Sequence, residues 1–368
     1  GQPDEYRTTF AKGCSVESVL KDWSSTLESI TDKWPTLVEF ENDLKAKVGP
    51  MSIMKPLSER LDDIDHYYDD ILLSSTPVSD SAIKAVLAEF SGIKGLRVRA
   101  QQKTVDLMKK STNSGSPYFT KRKSVVEKTV PCYTRIQQVN KVDQVVQVLD
   151  GDRNWLACAV LGWRGQEGGP TDDDVKQRVV WMFPFAVNIC ELQVYQPLIE
   201  SCQKLNLVPA WVSMEAVDRR ITALFDTKGV DDAVICTDFS KFDQHFGPDM
   251  QRCAETILSG IMTDGSEWLR DVFPIKYVIP LAYDVDKIRY GRHGMGSGSG
   301  GTNADETLAH RALQFEAALN KHTKLNLNSM CLGDDGVLTY PGITVEDVVR
   351  SYTAHGLEMN ESKQYVSK

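Results

Sequence analysis

Met330-Cys331-Leu332-Gly333-Asp334-Asp335-Gly336-Val337-Leu338-Thr339-Tyr340 is a pair of short apolar runs around two glycines and two adjacent aspartates. It reads as a β-hairpin, because Gly and Asp tolerate turn dihedrals and the flanking residues favour strands. Neighbouring carboxylates in a tight turn repel each other, so the turn's own stability does not call for them. A divalent cation would offset that repulsion, and hard oxygen ligands suit Mg²⁺ or Mn²⁺. By itself the tripeptide is also an ordinary polar turn.

Upstream, Val234-Ile235-Cys236-Thr237-Asp238 is a short apolar strand ending in a carboxylate, followed five residues later by Asp243. A strand beside the hairpin would bring Asp238 next to Asp334. Two cations held by such a pair can activate an attacking hydroxyl and stabilise a leaving oxygen. Asp243, displaced from that cluster, suits a hydrogen bond to a bound nucleotide. Between these segments, Ser297-Gly298-Ser299-Gly300-Gly301-Thr302 opens a predicted helix over Thr302 to His322, with Leu308, Ala312, Phe315 and Leu319 on one side. Its glycines allow backbone N–H groups to approach an anionic or sugar-bearing ligand at a positive helix end. Gly296, Gly298 and Gly301 also match G-x-G-x-x-G, but the acid twenty residues on, Glu316, lies inside the helix, against a dinucleotide fold. No G-x-x-x-x-G-K-[ST] occurs, which excludes a P-loop.

The order is more specific than any one piece. Asp238, Ser297 and Asp334 follow at intervals of 59 and 37 residues. D-x4-D after a strand, SG-x3-T opening a helix and GDD in a hairpin resemble motifs A (238–243), B (297–307) and C (333–335) in the palm of viral RNA-dependent RNA polymerases. Thr237-Asp238-Phe239-Ser240-Lys241-Phe242-Asp243-Gln244-His245-Phe246 and Ser297 to Thr307 are most similar to picobirnavirus polymerases, with partitivirus enzymes next. The resemblance covers about residues 111 to 368.

It implies an α+β right-hand polymerase fold of fingers plus palm, with an antiparallel palm sheet backed by helices. It implies two Mg²⁺ (or Mn²⁺) ions, with Asp238 and Asp334 as principal ligands and Asp335 assisting. Asp243 reads the ribose 2′-hydroxyl, and Ser297, Gly298 and Thr302 form the loop and helix start beside the nascent pair. The family usually has Asn four residues after this Thr; here that position is Glu306, and Asn303 is the candidate substitute. Ser114-Gly115-Ser116-Pro117-Tyr118 resembles motif G, which lines the template channel. Lys176-Gln177-Arg178 resembles the K-x-R of motif F (176–181), whose cations hold the triphosphate, with Arg164 joining them. Lys363 falls where motif D (356–363) places a lysine that protonates departing pyrophosphate.

The implied reaction is template-directed transfer of NTPs to an RNA 3′-hydroxyl, serving replication and transcription of a viral, double-stranded RNA genome. Partners are RNA template, nascent RNA, NTPs and viral capsid protein, with no membrane, inside the particle or in host cytoplasm. A reverse transcriptase is the nearest alternative, disfavoured because such enzymes favour a bulky residue near the 2′ position where Asp243 stands. A non-catalytic RNA-binding or particle-assembly protein of the same fold is the other, disfavoured by the intact carboxylates.

The rest of the chain agrees with these expectations. With 368 residues, 41% hydrophobic and 25% charged, it is an ordinary globular chain of two or three domains. A net charge of −9 argues against indiscriminate coating of nucleic acid. Residues 1–93 hold 17 acids and 9 bases and read as a helical N-terminal region, with Leu20, Trp23, Leu27, Ile30 and Trp34 on one apolar face. Its Asp62 to Asp70 cluster lacks calcium-loop spacing and reads as a solvated helix face. Residues 94–128 reverse the balance, with ten bases against Asp106 and Glu127. Residues 94–225 are then the fingers and 226–368 the palm with a fingers insertion. Val142 to Leu149 and Val179 to Ala186 read as strands, with a glycine-rich loop from Gly162 to Pro170 between them. The eight cysteines form no C-x-x-C pair and read as reduced thiols. No run approaches the ~20 apolar residues of a membrane span, and Gly1-Gln2-Pro3-Asp4-Glu5 reads as neither signal peptide nor acylation site. The absent initial Met suggests a processed or trimmed chain. Only residues 336–368 follow Asp335, too few for the thumb that the family places there, so the thumb is expected to be missing.

Overall fold

The computed structural model describes residues 5–6, 13–151 and 153–368. Gly1 to Asp4, read above as part of no targeting signal, and residues 7–12 of the predicted helical region lie outside the described residues. The chain forms two compact units. One takes in the described residues up to Ile64 together with Gly162–Val180, and the other Asp65–Leu161 and Trp181–Lys368.

In the first unit, Val16–Glu28 is a helix whose N-cap Ser15 accepts from the Ser18 N–H at 3.1 Å. The predicted apolar face does not run through to Trp34. The helix stops at Glu28, and Trp34 precedes Pro35, the first residue of the helix Pro35–Lys45. A residue before proline is driven out of helical dihedrals, and Trp34 sits at φ −133°, ψ 60°. Leu27 is buried, whereas Trp23 and Trp34 are exposed. Gly162 to Gln166, expected to be loop, are the end of the strand Ala159–Gln166, which neighbours Lys176–Met182.

The second unit carries the palm-like sheet. Its order is Met330–Leu332, Asp335–Leu338, Val234–Thr237, Tyr365–Ser367, antiparallel throughout. The helix Thr302–Asn320 packs on Met330–Leu332 and against the helices Asp80–Glu89, Pro248–Ile261 and Val345–Thr353. Ala304 through Gln314 are all buried, so this helix is enclosed on every side where one apolar face was expected. Leu308 and Ala312 are fully buried, but Leu319 is exposed near the helix end. A second sheet is the antiparallel run Cys132–Gln138, Gln144–Asp150, Arg153–Ala157. The strand expected from Val142 begins at Gln144, because Val142 belongs to the turn held by Asn140.

The predicted strand Val179 to Ala186 divides in two. The strand ends at Met182, Pro184 is the N-cap, and Phe185–Lys204 is a helix buried along most of its length. An apolar run does not distinguish strand from buried helix, and the proline marks the change. All eight cysteines are free. No described helix is long and apolar enough to cross a membrane.

Candidate active site

The site is built on the register of three strand ends. Thr237 pairs with Gly336, and one further step places Asp238 opposite Asp335. Leu332 pairs with Asp335, so the hairpin turn is Gly333–Asp334, and Asp335 and Gly336 belong to the strand rather than to a four-residue turn. Gly333 has φ +57°, the left-handed region that opens a two-residue hairpin and favours glycine. Asp238, Asp334 and Asp335 are all exposed, along one rim of the sheet.

Alternation along the chain explains that exposure. Thr237 and Phe239 face inward while Asp238 and Ser240 face out. Phe239 lies in an aromatic floor with Phe242 at 4.6 Å, His310 at 5.4 Å and Tyr352 stacked at 5.8 Å.

Backbone clamps fix the rim. The Asp238 N–H donates to Gln364 Oε1 at 2.7 Å, and Gln364 Nε2 donates back to the Asp238 carbonyl at 2.9 Å. Gly333 is gripped from the helix behind it. Its N–H donates to Thr307 Oγ1 at 2.9 Å, and its carbonyl is 2.8 Å from His310 Nδ1. A carbonyl only accepts, so Nδ1 carries the hydrogen; burial pushes the ring down to about 4, and it is neutral. Sequence reading missed Gln364, Thr307 and His310. The helical spacing of Thr307 and His310, behind the SG-x3-T motif, was the available signal.

Asp243 is half-buried. Its carbonyl accepts from the Met295 N–H at 2.8 Å, and its carboxylate is hydrogen-bonded to Glu306. Burial first, then the charges of Asp243, Asp334 and Asp305, hold Glu306 well above the usual carboxylate range. Asn303, the expected substitute, does not make this contact. It is exposed, and its Oδ1 accepts from Trp211 Nε1 at 2.8 Å and Thr307 Oγ1 at 3.4 Å.

The Ser297 hydroxyl accepts from the Trp181 N–H at 3.3 Å. Gly298 is required by close approach, since a Cβ there would overlap the Trp181 carbonyl oxygen. Thr302 Oγ1 donates to the Gly296 carbonyl at 3.1 Å and closes the loop at the helix start.

The model of the viral RNA-dependent RNA polymerase family matches residues 50–368. A potential RNA-dependent RNA polymerase of human picobirnavirus (strain Human/Thailand/Hy005102/-) is 62% identical over 370 residues, spanning 100% of this chain and 68% of that protein. The chain belongs to the viral RNA-dependent RNA polymerases. Two crystal structures of a human picobirnavirus RNA-dependent RNA polymerase are 62% identical to it and cover all of it. One superposes with a TM-score of 0.95 over 70% of that chain; the other, an insertion-loop deletion mutant, gives 0.94 over 72%. The α+β polymerase fold and the polymerase activity follow.

In this polymerase the remaining predicted residues fall into two groups. Ser114 to Tyr118 lie in the unit that holds the rim. Ser114 is buried; its carbonyl accepts from the Phe185 N–H at 2.8 Å, and its own N–H donates to the Thr120 carbonyl at 2.6 Å. Gly115 accepts the turn at φ +63°, and Ser116–Pro117 is cis. The Tyr118 hydroxyl accepts from Arg153 at 2.7 Å, and its ring lies 5.6 Å from Arg153 and 5.7 Å from Lys128. Phe119, the next residue and missed in the sequence, is an exposed aromatic side chain. Lys363 is exposed in the short helical turn Glu361–Lys363, one residue before Gln364.

Arg164, Lys176 and Arg178 belong to the other unit, on neighbouring strands, and all three are exposed. Gln177, on the opposite face from Lys176 and Arg178, donates to the Ile53 carbonyl at 2.6 Å. Arg178 Nε donates to Gln166 at 2.9 Å.

Among the described residues, no three His, Cys, Asp or Glu side chains converge to enclose an ion. The chemistry of the rim nonetheless fits Mg²⁺, which keeps several waters and takes one or two carboxylates together with substrate phosphate oxygens. Asp238, Asp334 and Asp335 are hard donors on adjoining backbones, open on the solvent side.

Proposed function

We propose that this polymerase joins template-matched NTPs to an RNA 3′-hydroxyl by two-metal nucleotidyl transfer at the rim formed by Asp238, Asp334 and Asp335. The observation that carries it is the strand register, which sets Asp238 opposite Asp335 with Asp334 in the adjoining turn. Asp238 and Asp334 would hold two divalent cations, with Asp335 assisting. Such cations, when bound, make the hydroxyl a better nucleophile and neutralise charge that builds on the α-phosphate.

The chain's own residues orient the reactants. Asp243 accepts a hydrogen bond from the ribose 2′-hydroxyl, a group only ribonucleotides present. Glu306, hydrogen-bonded to Asp243, fixes its carboxylate for that contact. The Ser297 hydroxyl, whose oxygen accepts from Trp181, retains a proton to donate to an oxygen of the incoming nucleotide. Lys363 supplies a proton to departing pyrophosphate. Tyr118, with Lys128 and Arg153 around it, and exposed Phe119 offer a stacking face and cations to a template strand.

Primer extension on an RNA template tests the reading. Wild type should incorporate NTPs in strong preference to dNTPs, and Asp243→Ala should narrow that preference. Efficient dNTP use by the wild type, or a preference untouched by Asp243→Ala, would overturn the assignment.

A further inference from the structure

The segment Trp181 to Glu191 touches both the template stretch and the Ser297–Thr302 loop. Ser114 receives the Phe185 N–H, and Ser297 receives the Trp181 N–H. Deeper in, two polar side chains one turn apart on the Phe185–Lys204 helix extend the connection. Asn188 and Glu191 are 4% and 0% exposed, in a stretch of helix where Val187, Ile189 and Val194 are also buried. Burial without compensation would cost each of them several kcal/mol, so their partners are informative.

Glu191 accepts three hydrogen bonds. The Gly300 N–H reaches Oε1 at 3.1 Å, Asn188 Nδ2 reaches the same oxygen at 3.0 Å, and the Ser299 hydroxyl donates to Oε2. Asn188 Nδ2 also donates to the Gly298 carbonyl at 3.3 Å. On its other side, Asn188 Oδ1 accepts from Arg122 Nη2 at 2.8 Å. Arg122 stacks over Phe185 at 5.2 Å and belongs to the basic stretch that follows Ser114–Tyr118, where its own N–H closes back onto Thr112 at 3.0 Å.

We infer that Asn188 and Glu191 are positioning residues that hold the Ser297–Thr302 loop and couple it, through Arg122, to the template-binding segment. The inference rests on the roles proposed above for Ser297, Gly298 and residues 114–118. Glu191 sets the loop by gripping Ser299 and Gly300, so the backbone of Gly298 keeps its place beside the incoming nucleotide. Asn188 is the only one of these side chains that touches both ends. Its carbonyl oxygen reports on Arg122 and its amide reports on Gly298. A shift of the template segment is therefore transmitted to the loop, and closure of the loop on a matched nucleotide is transmitted back, by the reciprocity of coupled sites.

The test is steady-state primer extension with separate determination of kcat, KM for NTP and Kd for a template RNA, on wild type, Asn188→Ala, Glu191→Gln, Glu191→Ala and Asp334→Ala. Asn188→Ala should raise both KM for NTP and template Kd about tenfold, the size of one lost buried hydrogen bond to a charged partner, with kcat changed less. Glu191→Ala should raise KM for NTP similarly. Glu191→Gln should recover most of it, because a glutamine Oε1 still accepts from Gly300 and Asn188. If Glu191→Ala does not fold, Asn188→Ala and Glu191→Gln still decide. Asn188→Ala that lowers thermal stability alone, or moves KM without Kd, overturns the coupling. Glu191→Gln as impaired as a folded Glu191→Ala overturns the loop assignment. Full extension by Asp334→Ala would instead overturn the underlying reading of the site.

Discussion

Asp305 and Glu306 are neighbours on one buried helix and serve two acidic regions. Asp305 points into a nest where Tyr195 and Tyr277 each donate to its carboxylate at 2.6 Å and Lys276 Nζ lies 3.0 Å away. Lys276 is itself fully buried, donating to the Phe273 carbonyl at 2.6 Å and to Tyr195 at 2.9 Å, with the Phe273 ring 3.8 Å from its charge. Glu306 turns toward Asp243 and the rim, where Asp238, Asp334 and Asp335 are exposed. In the nest, every charge is answered by the chain. At the rim, carboxylates are gathered on the solvent side, where a ligand can reach them. The contrast separates acids paired inside the core from acids gathered at an exposed rim, the place proposed above for the chemistry.

Substitutions can break that contrast. Asp334→Ala at the rim should reduce extension by about 10³-fold, as when one electrostatic contact to a transition state is lost, while leaving the unfolding midpoint in denaturant unchanged or higher. A large fall in stability would erase the distinction. Lys276→Met in the nest should do the reverse and lower unfolding free energy by about 3–5 kcal/mol, since it strands the Asp305 carboxylate in the core. A denaturant titration with an unshifted midpoint would contradict it.

Between the two regions stands the grip on Gly333. His310→Ala should lower kcat about tenfold with a smaller change in KM for NTP, because a displaced turn misplaces Asp334 without removing it. His310→Asn, whose amide can donate from a similar position, should recover part of the loss.

The smallest effect concerns a structural pair away from both. Burial pushes Glu316 up, but the His355 hydrogen bond and the Ser79 N–H outweigh it and leave it below its ordinary 4.5. Burial pulls His355 down, but Glu316 and the Thr76 carbonyl outweigh that and leave it above 6.5. The raised histidine adds stability complete below its ordinary value and lost as pH rises through its folded one. The lowered glutamate adds stability present above its ordinary value and lost as pH falls through its folded one. The difference in melting temperature between wild type and Glu316→Gln should therefore be widest at about pH 5–6 and narrow toward pH 8. A difference that grows toward pH 8 would contradict this.

What the sequence reveals follows the same division. Rim residues are legible because their types are unusual for their places: adjacent aspartates in a hairpin, a carboxylate closing an apolar strand, and glycines that an approaching backbone requires, as Gly298 does under Trp181. Residues that answer charge are not legible. Lys276 in sequence is one lysine among many, and only folding brings it to Asp305. Gln364, Asn188 and Glu191 act across about 110 to 126 residues of chain, so no local pattern announces them. Asn303 and Glu306 differ by nearly one helical turn, and only the packed helix shows that Glu306 meets Asp243. The strand expected to reach Ala186 fails for a related reason: apolar content indicates burial, and Pro184 chooses the helix.

The most direct measurement is the shift in thermal unfolding midpoint on adding Mg²⁺ or Mn²⁺ to wild type and to Asp334→Asn. If the rim binds a divalent cation, either ion raises the wild-type midpoint and Asp334→Asn loses most of that rise. An equal rise in both proteins, or none in the wild type, would contradict the account.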